Sequence, residues 1–299
     1  MASKVQIDEA YNYMDGLFRL TFGEYADFSA AMYDLDFSMS LEAAQHAKHK
    51  YIFENLKITR GCRVLDIGCG WGPVLRALKQ KGIEGVGLTL SSRQAAACVR
   101  NDLEVYLRDW KDITAGTYGR FNAVVSVGSF EHFCSKEEFL RGKQESIYRQ
   151  FFALCSELLT RGERLYLQTM LWGKNAPLPE SISVRAKMGS NAYIVAVLEK
   201  LWPGSWLPSN EHQVIECAKP FFSLVSLKNG RLDYIETMGQ WNRVWRVNYA
   251  KIFPAVKTLA YIFRDKTFHY KLQALAFSYN RECFRREIMD HQRMVFEKM

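Results

Sequence analysis

Several features that often narrow the class of a protein are missing from this 299-residue sequence. Its longest apolar runs, such as residues 193–199, stop well short of the roughly 20 residues that a membrane-spanning helix requires. Its seven cysteines include no CxxC pair, which argues against a zinc site and favours reduced thiols. The N-terminus has no basic segment followed by an apolar one, as a secretory signal would. These absences predict a soluble cytoplasmic protein without a metal site.

Composition and charge allow one large domain and suggest the kind of partner. A hydrophobic content of 48% is ample for a packed core. The net charge of +8 is uneven, because residues 231–299 carry 13 Lys and Arg against 7 Asp and Glu. Such a segment is either a solvated helix surface or a contact for an anionic partner, such as a phosphate-bearing substrate, a membrane surface or a carrier protein. No nucleic-acid-binding motif accompanies the charge, so no nucleic-acid partner is expected.

Strand-like and helix-like segments alternate after residue 60, which predicts parallel βαβ units and an α/β sheet covered on both faces. Before them, residues 40–58 are typical of a helix with Ser40 as N-cap. After them, residues 172–215 carry four prolines and several short apolar runs, which indicates an insertion. The predicted strands are 64–68, 84–90, 104–110, 122–129 and 164–171.

The glycine-rich stretch VLDIGCGWGP, residues 64–73, follows the first predicted strand. Gly68, Gly70 and Gly72 form G-x-G-x-G, whereas a dinucleotide fingerprint needs G-x-G-x-x-G. Without side chains, such a turn lets the backbone approach a ribose or an amino-acid moiety closely. Asp66, at the strand end, can accept hydrogen bonds from an ammonium group or orient the turn.

The end of the second strand, GVGLTLSSRQ at 85–94, argues against a nicotinamide oxidoreductase. An acidic residue that would hold the ribose hydroxyls is missing where Leu88 and Thr89 fall. Gln94 could bind those hydroxyls instead. Further on, Asp109 and Trp110 offer an acid and a ring suited to an adenine amino group and face, although Trp110 could equally be an ordinary core residue.

In order and spacing, DIGCGWG, VGLTLS and VSVGSFEHF (125–133) resemble the cyclopropane fatty acid synthase and mycolic acid methyltransferase family, class I enzymes that use S-adenosylmethionine. Residues 18–34, 232–241 and 284–298 are similar to the family's cofactor lid, tyrosine segment and closing helix with last strand. The resemblance implies an α/β fold with a Rossmann-like, seven-stranded, doubly wound sheet. It also implies a single domain over 1–299, with a helical lid (1–59), a cofactor-binding core (60–171), an insertion after the fifth strand (172–215) and C-terminal strands and helices (216–299).

The resemblance also implies how S-adenosylmethionine would be held. Phe28 and Ser29 would close over its methionine part, which Gly68, Gly70 and Gly72 would line. The ribose side would contact Thr89, Leu90 and Gln94, and Trp110 would stack beside adenine. Since the sulfonium leaves as a neutral thioether, no metal is required.

In the family, an alkene attacks the methyl group, and loss of a proton from the resulting carbocation closes a cyclopropane. The implied base is a bicarbonate held by a cysteine, a glutamate, a histidine and a tyrosine. The glutamate and tyrosine fall on Glu131 and Tyr234, but Ala30 and Gln168 replace the cysteine and histidine. We therefore expect bicarbonate to bind weakly or not at all. Glu131, held by Tyr234 and Gln168, would then act as base or cation stabiliser, without necessarily closing a ring.

A purely structural interpretation remains open for two residues. Glu131 could be a helix-start carboxylate satisfied by backbone N–H groups, and His132 is expected to be a packed histidine that supports the turn. For the acceptor, residues 172–215 and the aromatic-rich 240–253 could wall an apolar tunnel, with the basic C-terminal segment receiving an anionic head group. The leading prediction is C-methylation of a hydrophobic, lipid-like or isoprenoid-like molecule. Alternatives are N-, O- or S-methylation of a smaller natural product, or a lipid-binding module without catalysis.

Overall fold

A seven-stranded mixed sheet organises the chain, and the computed structural model describes residues 26–252 and 266–299. The strand order is β3-β2-β1-β4-β5-β7-β6, in which β7 runs antiparallel to both β5 and β6. The remaining neighbours pair in parallel, as the βαβ rhythm predicts. The strands are β1 (Arg63–Ile67), β2 (Glu84–Thr89), β3 (Glu104–Leu107), β4 (Phe121–Val127), β5 (Leu159–Trp172), β6 (Phe222–Asn229) and β7 (Met289–Lys298).

Helices connect and cover the strands. Ser40 caps the first described helix by accepting a hydrogen bond from the Ala43 N–H, as expected. The described α-helices are α1 (Leu41–Asn55), α2 (Pro73–Gln80), α3 (Ser92–Arg100), α4 (Ala115–Tyr118), α5 (Lys136–Leu140), α6 (Gln144–Leu158), α7 (Asn191–Leu201), α8 (Glu211–Ala218), α9 (Arg231–Ile252), α10 (Phe268–Ala276) and α11 (Tyr279–Arg285). Short 3₁₀ turns span Trp110–Asp112, Phe130–His132 and Pro179–Ser181.

Both faces of the sheet are buried, because alternate strand residues point to opposite sides. Leu65 and Ile67 of β1 join a core with Phe151 and Phe152 of α6. Val64 of β1 points to the opposite side and joins a second core beneath α1 and α2. Apolar layers on both faces are the physical basis of a doubly wound sheet, so the predicted fold class is confirmed.

Residues 26–30 of the predicted lid and residues 198–207 of the predicted insertion lie beside the carboxyl ends of the parallel strands. Part of the lid, residues 1–25, lies outside the described residues, while 26–40 form turns that lead into α1. The predicted insertion contains α7 and the first turn of α8, which continues to Ala218. Together with α9, α10 and α11, these segments form a third apolar cluster. In the two described ranges, we find no helix with the length and apolarity that crossing a membrane requires.

Candidate active site

The glycine turn is shaped by its packing against the end of β4. Gly68, Gly70 and Gly72 have φ values of +84°, +57° and +78°, which residues with side chains rarely adopt. A Cβ at Gly68 would lie 2.3 Å from the Ser129 Cβ, and one at Gly72 would lie 2.7 Å from the Leu103 Cδ1. The backbone therefore favours glycine at both positions, and the close Ser129 Cβ also excludes a side chain at Gly68.

A cavity opens beside this turn, with an empty volume of about 920 Å³ that includes space open to solvent. Among the predicted cofactor residues, those lining it are Phe28, Ser29, Asp66, Gly68, Gly70, Thr89, Leu90, Gln94, Asp109 and Trp110. Gly72 does not line it, contrary to expectation, because it turns away as the residue that precedes α2. Its role is to let the chain enter the helix. We call this space the cofactor cavity.

Gln94 offers a free donor to the cofactor cavity. Its side chain is buried, and its Oε1 accepts a hydrogen bond of 2.8 Å from the Thr89 Oγ1. The Gln94 Nε2 has no hydrogen-bond partner among the residues that the structure describes. A buried amide donor without a partner is costly, which suits a ligand oxygen such as a ribose hydroxyl.

The next wall of the cofactor cavity joins the core of the domain. The Trp110 ring packs against Phe133 and Phe151, at centroid distances of 5.1 and 5.5 Å. Trp110 is therefore a core residue that also lines the cavity, and its stacking beside adenine stays a prediction. Asp109 begins the 3₁₀ turn, where its Oδ1 accepts a hydrogen bond from the Lys111 N–H.

A buried ionic network that sequence reasoning missed fastens the segment 27–29 over the cavity. The Lys48 Nζ donates to Asp27 Oδ2, Ser29 Oγ and Gln45 Oε1 at 2.5 to 2.6 Å. His49 Nε2 lies 3.0 Å from the same Asp27 Oδ2. Gln45, Lys48 and His49 share one face of α1, and that spacing was the available signal.

The network sets the charge at this end of the cofactor cavity. Although burial opposes it, the Lys48 ammonium and the hydrogen bonds from His49 and Lys48 hold the pKa of Asp27 below its ordinary value. Burial, with Asp27 nearby, raises the pKa of Asp66 to about 8. A positively charged ligand group in the cavity would favour the ionised form of Asp66. The arrangement fits the predicted ammonium contact.

A second cavity, the acceptor chamber, adjoins the first and has an empty volume of about 960 Å³, including space open to solvent. The two spaces share Phe28, Ser29, Gly128 and His132. Neighbouring strands β5 and β7 form the chamber floor, and rings from the insertion form much of its wall. Residues of the floor are Gln168, Met170, Trp172, Met289 and His291, and the ring-bearing wall residues include Phe28, Trp202, Trp206 and Tyr234.

Glu131 lies in the acceptor chamber, on the 3₁₀ turn that follows β4. Its Oε1 accepts a hydrogen bond of 3.0 Å from the Met170 N–H of β5. Its Oε2 has no hydrogen-bond partner in the described part of the chain. Burial raises the pKa of Glu131 to about 7. The backbone N–H therefore satisfies only one oxygen, and it comes from a neighbouring strand rather than from a helix start.

Gln168 and Tyr234 also line the chamber, but Gln168 does not hold Glu131 as expected. The Gln168 Nε2 donates to the Ala30 carbonyl at 3.1 Å, and its Oε1 accepts from the Tyr166 hydroxyl at 2.9 Å. Both ends of the amide are thus engaged elsewhere. Tyr234 packs against Phe284. Because the Glu131 Oε2 has no partner in the described part of the chain, neither Gln168 nor Tyr234 donates a hydrogen bond to that oxygen.

His132 is packed and also borders both cavities. Its Nδ1 lies 2.6 Å from the Ser205 Oγ of the insertion, which fits the expected supporting role. Burial lowers the pKa of His132 to about 4, so its imidazole is neutral at pH 7. Cys69, in the glycine turn, also lines the cofactor cavity.

The described basic residues of the C-terminal segment do not reach the acceptor chamber, whose described lining contains no Lys or Arg. Many of them are in ion pairs within the segment: Arg231–Glu287, Arg243–Glu236, Arg286–Glu282 and Arg293–Asp233. Of the aromatic stretch 240–253, Trp241 is buried and stacks on Phe28 at 5.1 Å. Side chains 245–253 lie outside those described.

Fold and site together define a class I methyltransferase, the class whose methyl donor is S-adenosylmethionine. The sheet order, the glycine turn at the end of β1 and the two adjoining cavities are its distinguishing features. Within that class, the family described as mycolic acid cyclopropane synthetase matches residues 2–284. The chain belongs to this family, as its motifs predict.

Individual relatives agree with this assignment. Hydroxymycolate synthase MmaA4 of Mycobacterium bovis is 27% identical over 257 residues, covering 82% of this chain and 79% of the relative. Cyclopropane-fatty-acyl-phospholipid synthase of Escherichia coli K12 is 30% identical over 239 residues, covering 78% of this chain and 54% of the relative. The solved structure of mycolic acid cyclopropane synthase CmaA1, complexed with SAH and CTAB, has a TM-score of 0.77 and 25% identity, covering 99% of this chain and 98% of the other.

Proposed function

We propose that this enzyme transfers a methyl group from S-adenosylmethionine to an alkene carbon of a hydrophobic, lipid-like or isoprenoid-like acceptor, with Glu131 as base or cation stabiliser. One observation carries the proposal. A buried carboxylate with one unpartnered oxygen lies in an aromatic chamber that adjoins the cofactor cavity. In such a place a carboxylate can stabilise positive charge or accept a proton with little competition from water.

The cofactor cavity fits the donor molecule on its own residues. The unpartnered Gln94 Nε2 would hold a ribose hydroxyl, Asp109 and Trp110 would border the adenine, and Asp66 would face the ammonium group. When bound, the donor supplies an electrophilic methyl group on a positively charged sulfur. Phe28 and Ser29 belong to both cavities, so they would orient the acceptor toward that methyl group and exclude water.

The acceptor chamber supports a hydrophobic substrate. Its wall is mainly aromatic and aliphatic, and burial of apolar surface contributes about 25 cal/mol per Å². A relative from Escherichia coli is named for a fatty-acyl phospholipid, and the similar CmaA1 structure contains CTAB, an alkylammonium detergent. A brief contact with a membrane surface or carrier protein, and a cytoplasmic location, stay predictions.

The chamber offers little to a bicarbonate ion. Ala30 has no polar side chain, and both ends of the Gln168 amide are already hydrogen-bonded. An anion there would also lie near Glu131 without a described Lys or Arg in the lining. We therefore propose that Glu131 replaces the external base, and that methylation ends with a methylated alkene rather than a cyclopropane.

N-methylation is the second candidate, since the chamber lining contains Glu131 and Glu199 but no described cation. Glu199 lies 3.0 Å from Lys136, which leaves Glu131 as the uncompensated acid. An amine nucleophile that loses a proton on methylation would suit that carboxylate. No comparable observation favours O- or S-methylation.

A labelled-methyl assay tests the proposal. The protein would receive S-adenosylmethionine carrying a ¹³C methyl group, together with dioleoyl phosphatidylglycerol vesicles, geranylgeraniol or N-methylbenzylamine. A methylated alkene and a cyclopropane have the same mass, so NMR of the product separates them by the upfield ring protons. Transfer only to nitrogen would select the second candidate. Failure to bind S-adenosylhomocysteine in calorimetry would overturn both.

Glu131→Gln tests the role of the carboxylate. The amide keeps the volume and can still accept from the Met170 N–H, but it is not a base. We expect turnover to fall by about 10² to 10⁴-fold with S-adenosylhomocysteine affinity retained. In the wild type, kcat/KM should rise as pH increases through about 7, because only the ionised carboxyl accepts a proton. Glu137→Gln, the same change at an exposed site, is the matched control.

A further inference from the structure

His291 is a polar residue of the acceptor chamber that the proposed chemistry has not yet used. It belongs to β7, where the antiparallel register sets it directly opposite Met170 of β5. Side chains opposite each other in such a pair project to the same face of the sheet. Met170 is also the residue whose N–H holds Glu131. The imidazole and the carboxylate both line the acceptor chamber.

The environment of His291 is unusual for a core histidine. The side chain is 2% exposed, and its Nδ1 has no hydrogen-bond partner in the described parts of the chain. Its ring meets the Tyr234 ring edge at a centroid distance of 5.2 Å. Leaving a buried polar atom unsatisfied costs about 1 to 3 kcal/mol, and such atoms call for an explanation in a folded protein.

Charged neighbours keep the imidazole neutral. Burial, with Arg293 and Lys48 nearby, holds the pKa of His291 well below its ordinary value. Both cations are paired, Arg293 with Asp233 at 2.8 Å and Lys48 with Asp27. These pairs reduce, but do not cancel, the field that a positive ligand meets at His291.

The other groups facing His291 are consistent with a neutral ring. Asp290 precedes it on β7 and accepts hydrogen bonds from the His291 N–H and from the Asn229 amide. From α9 the facing group is the Tyr234 phenol, and across the chamber it is Glu131. A neutral imidazole keeps a lone pair on one ring nitrogen.

We propose that His291 and Glu131 together form the subsite that receives the positive charge and the proton which an acceptor acquires on methylation. This inference rests on the proposed function and adds a residue to it. The methyl carbon's bond to sulfur breaks with its electron pair left on sulfur, and a π or lone pair of the acceptor forms the new bond. The acceptor now carries one positive charge. Loss of a proton returns its bonding pair to the acceptor, and the proton goes to the carboxylate or to an imidazole nitrogen.

A stable cation can probe the subsite without turnover. N,N-dimethyldecylamine is an ammonium ion at neutral pH, and decyl methyl ether is an uncharged molecule of similar length. Calorimetry would measure the binding of each to protein saturated with S-adenosylhomocysteine. We expect the ammonium ion to bind about tenfold more tightly than the ether to the wild type, equal to about 1.4 kcal/mol. A wild-type protein without this preference would overturn the inference.

Variants separate the role of His291 from simple packing. His291→Phe keeps a ring against Tyr234 and should lose most of the preference for the ammonium ion, while His291→Asn, which keeps an acceptor atom, should retain part of it. Met294→Leu changes a buried residue of the same strand that does not line the chamber, so its preference should match the wild type. If His291→Phe behaves like Met294→Leu, His291 has no part in the subsite.

The same measurements show which idea fails. Loss of the preference in Glu131→Gln but not in His291→Phe would overturn this inference and leave the proposed function intact. Retention of the preference in Glu131→Gln, with loss in His291→Phe, would instead argue against the role proposed for Glu131.

Discussion

The cofactor cavity and the acceptor chamber share a wall, yet their polar groups are treated differently. In the cofactor cavity, Lys48 fixes Asp27 and Thr89 fixes one end of the Gln94 amide, which leaves the neutral Gln94 Nε2 as a donor for the ligand. In the acceptor chamber, the atoms without a partner among the described residues include one oxygen of Glu131 and one ring nitrogen of His291, both of which belong to ionisable groups. The first space leaves an uncharged donor for its ligand, whereas the second leaves ionisable groups without partners.

This contrast suits the two tasks. A donor used in every turnover benefits from a rigid site, because ordering the protein on binding would cost affinity. Groups that must stabilise a charge present only during the reaction should have no strong partner beforehand. Substitutions on the cofactor side should therefore lower the free energy of unfolding, and substitutions on the acceptor side should raise it.

Lys48→Met should show the largest effect on the cofactor side. The change leaves Asp27 buried without its main partner, which typically costs about 3 to 5 kcal/mol of unfolding free energy. Urea denaturation would measure the loss, and calorimetry would show weaker S-adenosylhomocysteine binding as segment 27–29 loosens. Lys50→Met is the matched control, since Lys50 is exposed and its pair with Glu54 is long, at 3.8 Å. Equal losses in the two variants would contradict the importance of the network.

Glu131→Gln should instead raise the free energy of unfolding. Burial raises the folded-state pKa from 4.5 to about 7, so between these values the folded chain binds the proton more tightly than the unfolded chain. The wild type therefore loses stability as pH rises through this window, by about 3 kcal/mol in total. Denaturation at about pH 8 should find the variant more stable, with the difference vanishing below about pH 4.5. A variant that is less stable at pH 8 would show that the carboxylate is well solvated.

Gly68→Ala tests the shape of the cofactor side. The new Cβ would overlap the Ser129 Cβ in a left-handed backbone, which should cost about 2 to 3 kcal/mol and displace the turn. Gly61→Ala separates strain from overlap, because Gly61 has a φ of +91° but open space around it. Only Gly68→Ala should weaken S-adenosylhomocysteine binding. Unchanged binding would mean that the turn is not the cofactor wall.

Local patterns were enough to predict five of the seven strands and the cofactor turn. Five strands from the predicted β-branched runs overlap β1 to β5, and the Ser40 cap is where its side chain requires it. Such features depend on neighbours in sequence, since strand alternation, caps and glycine turns are short-range. The family motifs then indicated Glu131.

Long-range packing explains what was missed. A lysine on a helix ordinarily faces water, so the shared helix face of Gln45, Lys48 and His49 was too weak a signal to mark Lys48 as buried. His291 reaches the chamber only because β7 pairs antiparallel with β5 in one register, which the sequence of β7 does not reveal. Gln168 was located correctly, but its partners Ala30 and Tyr166 depend on how the lid segment crosses β5.

The smallest of the expected effects concerns Gln94, which the sequence predicted as a contact to the ribose hydroxyls. Gln94→Leu keeps the approximate volume but removes the Nε2 donor, and we expect about tenfold weaker binding of S-adenosylhomocysteine, or about 1.4 kcal/mol. Thr89→Val removes the partner of the Gln94 Oε1 and the acceptor of the Ser91 N–H but leaves the Nε2 donor in place, so its effect on binding should be smaller. Analogues that lack one or the other ribose hydroxyl sharpen the test. One of these analogues should bind the wild type more weakly than the parent compound does. To Gln94→Leu, the same analogue and the parent compound should bind equally well, because the donor to that hydroxyl is already absent. If the two deficits add in full instead, the amide contacts some other part of the ligand, and the cofactor side is less closely organised around the ribose than its hydrogen bonds suggest.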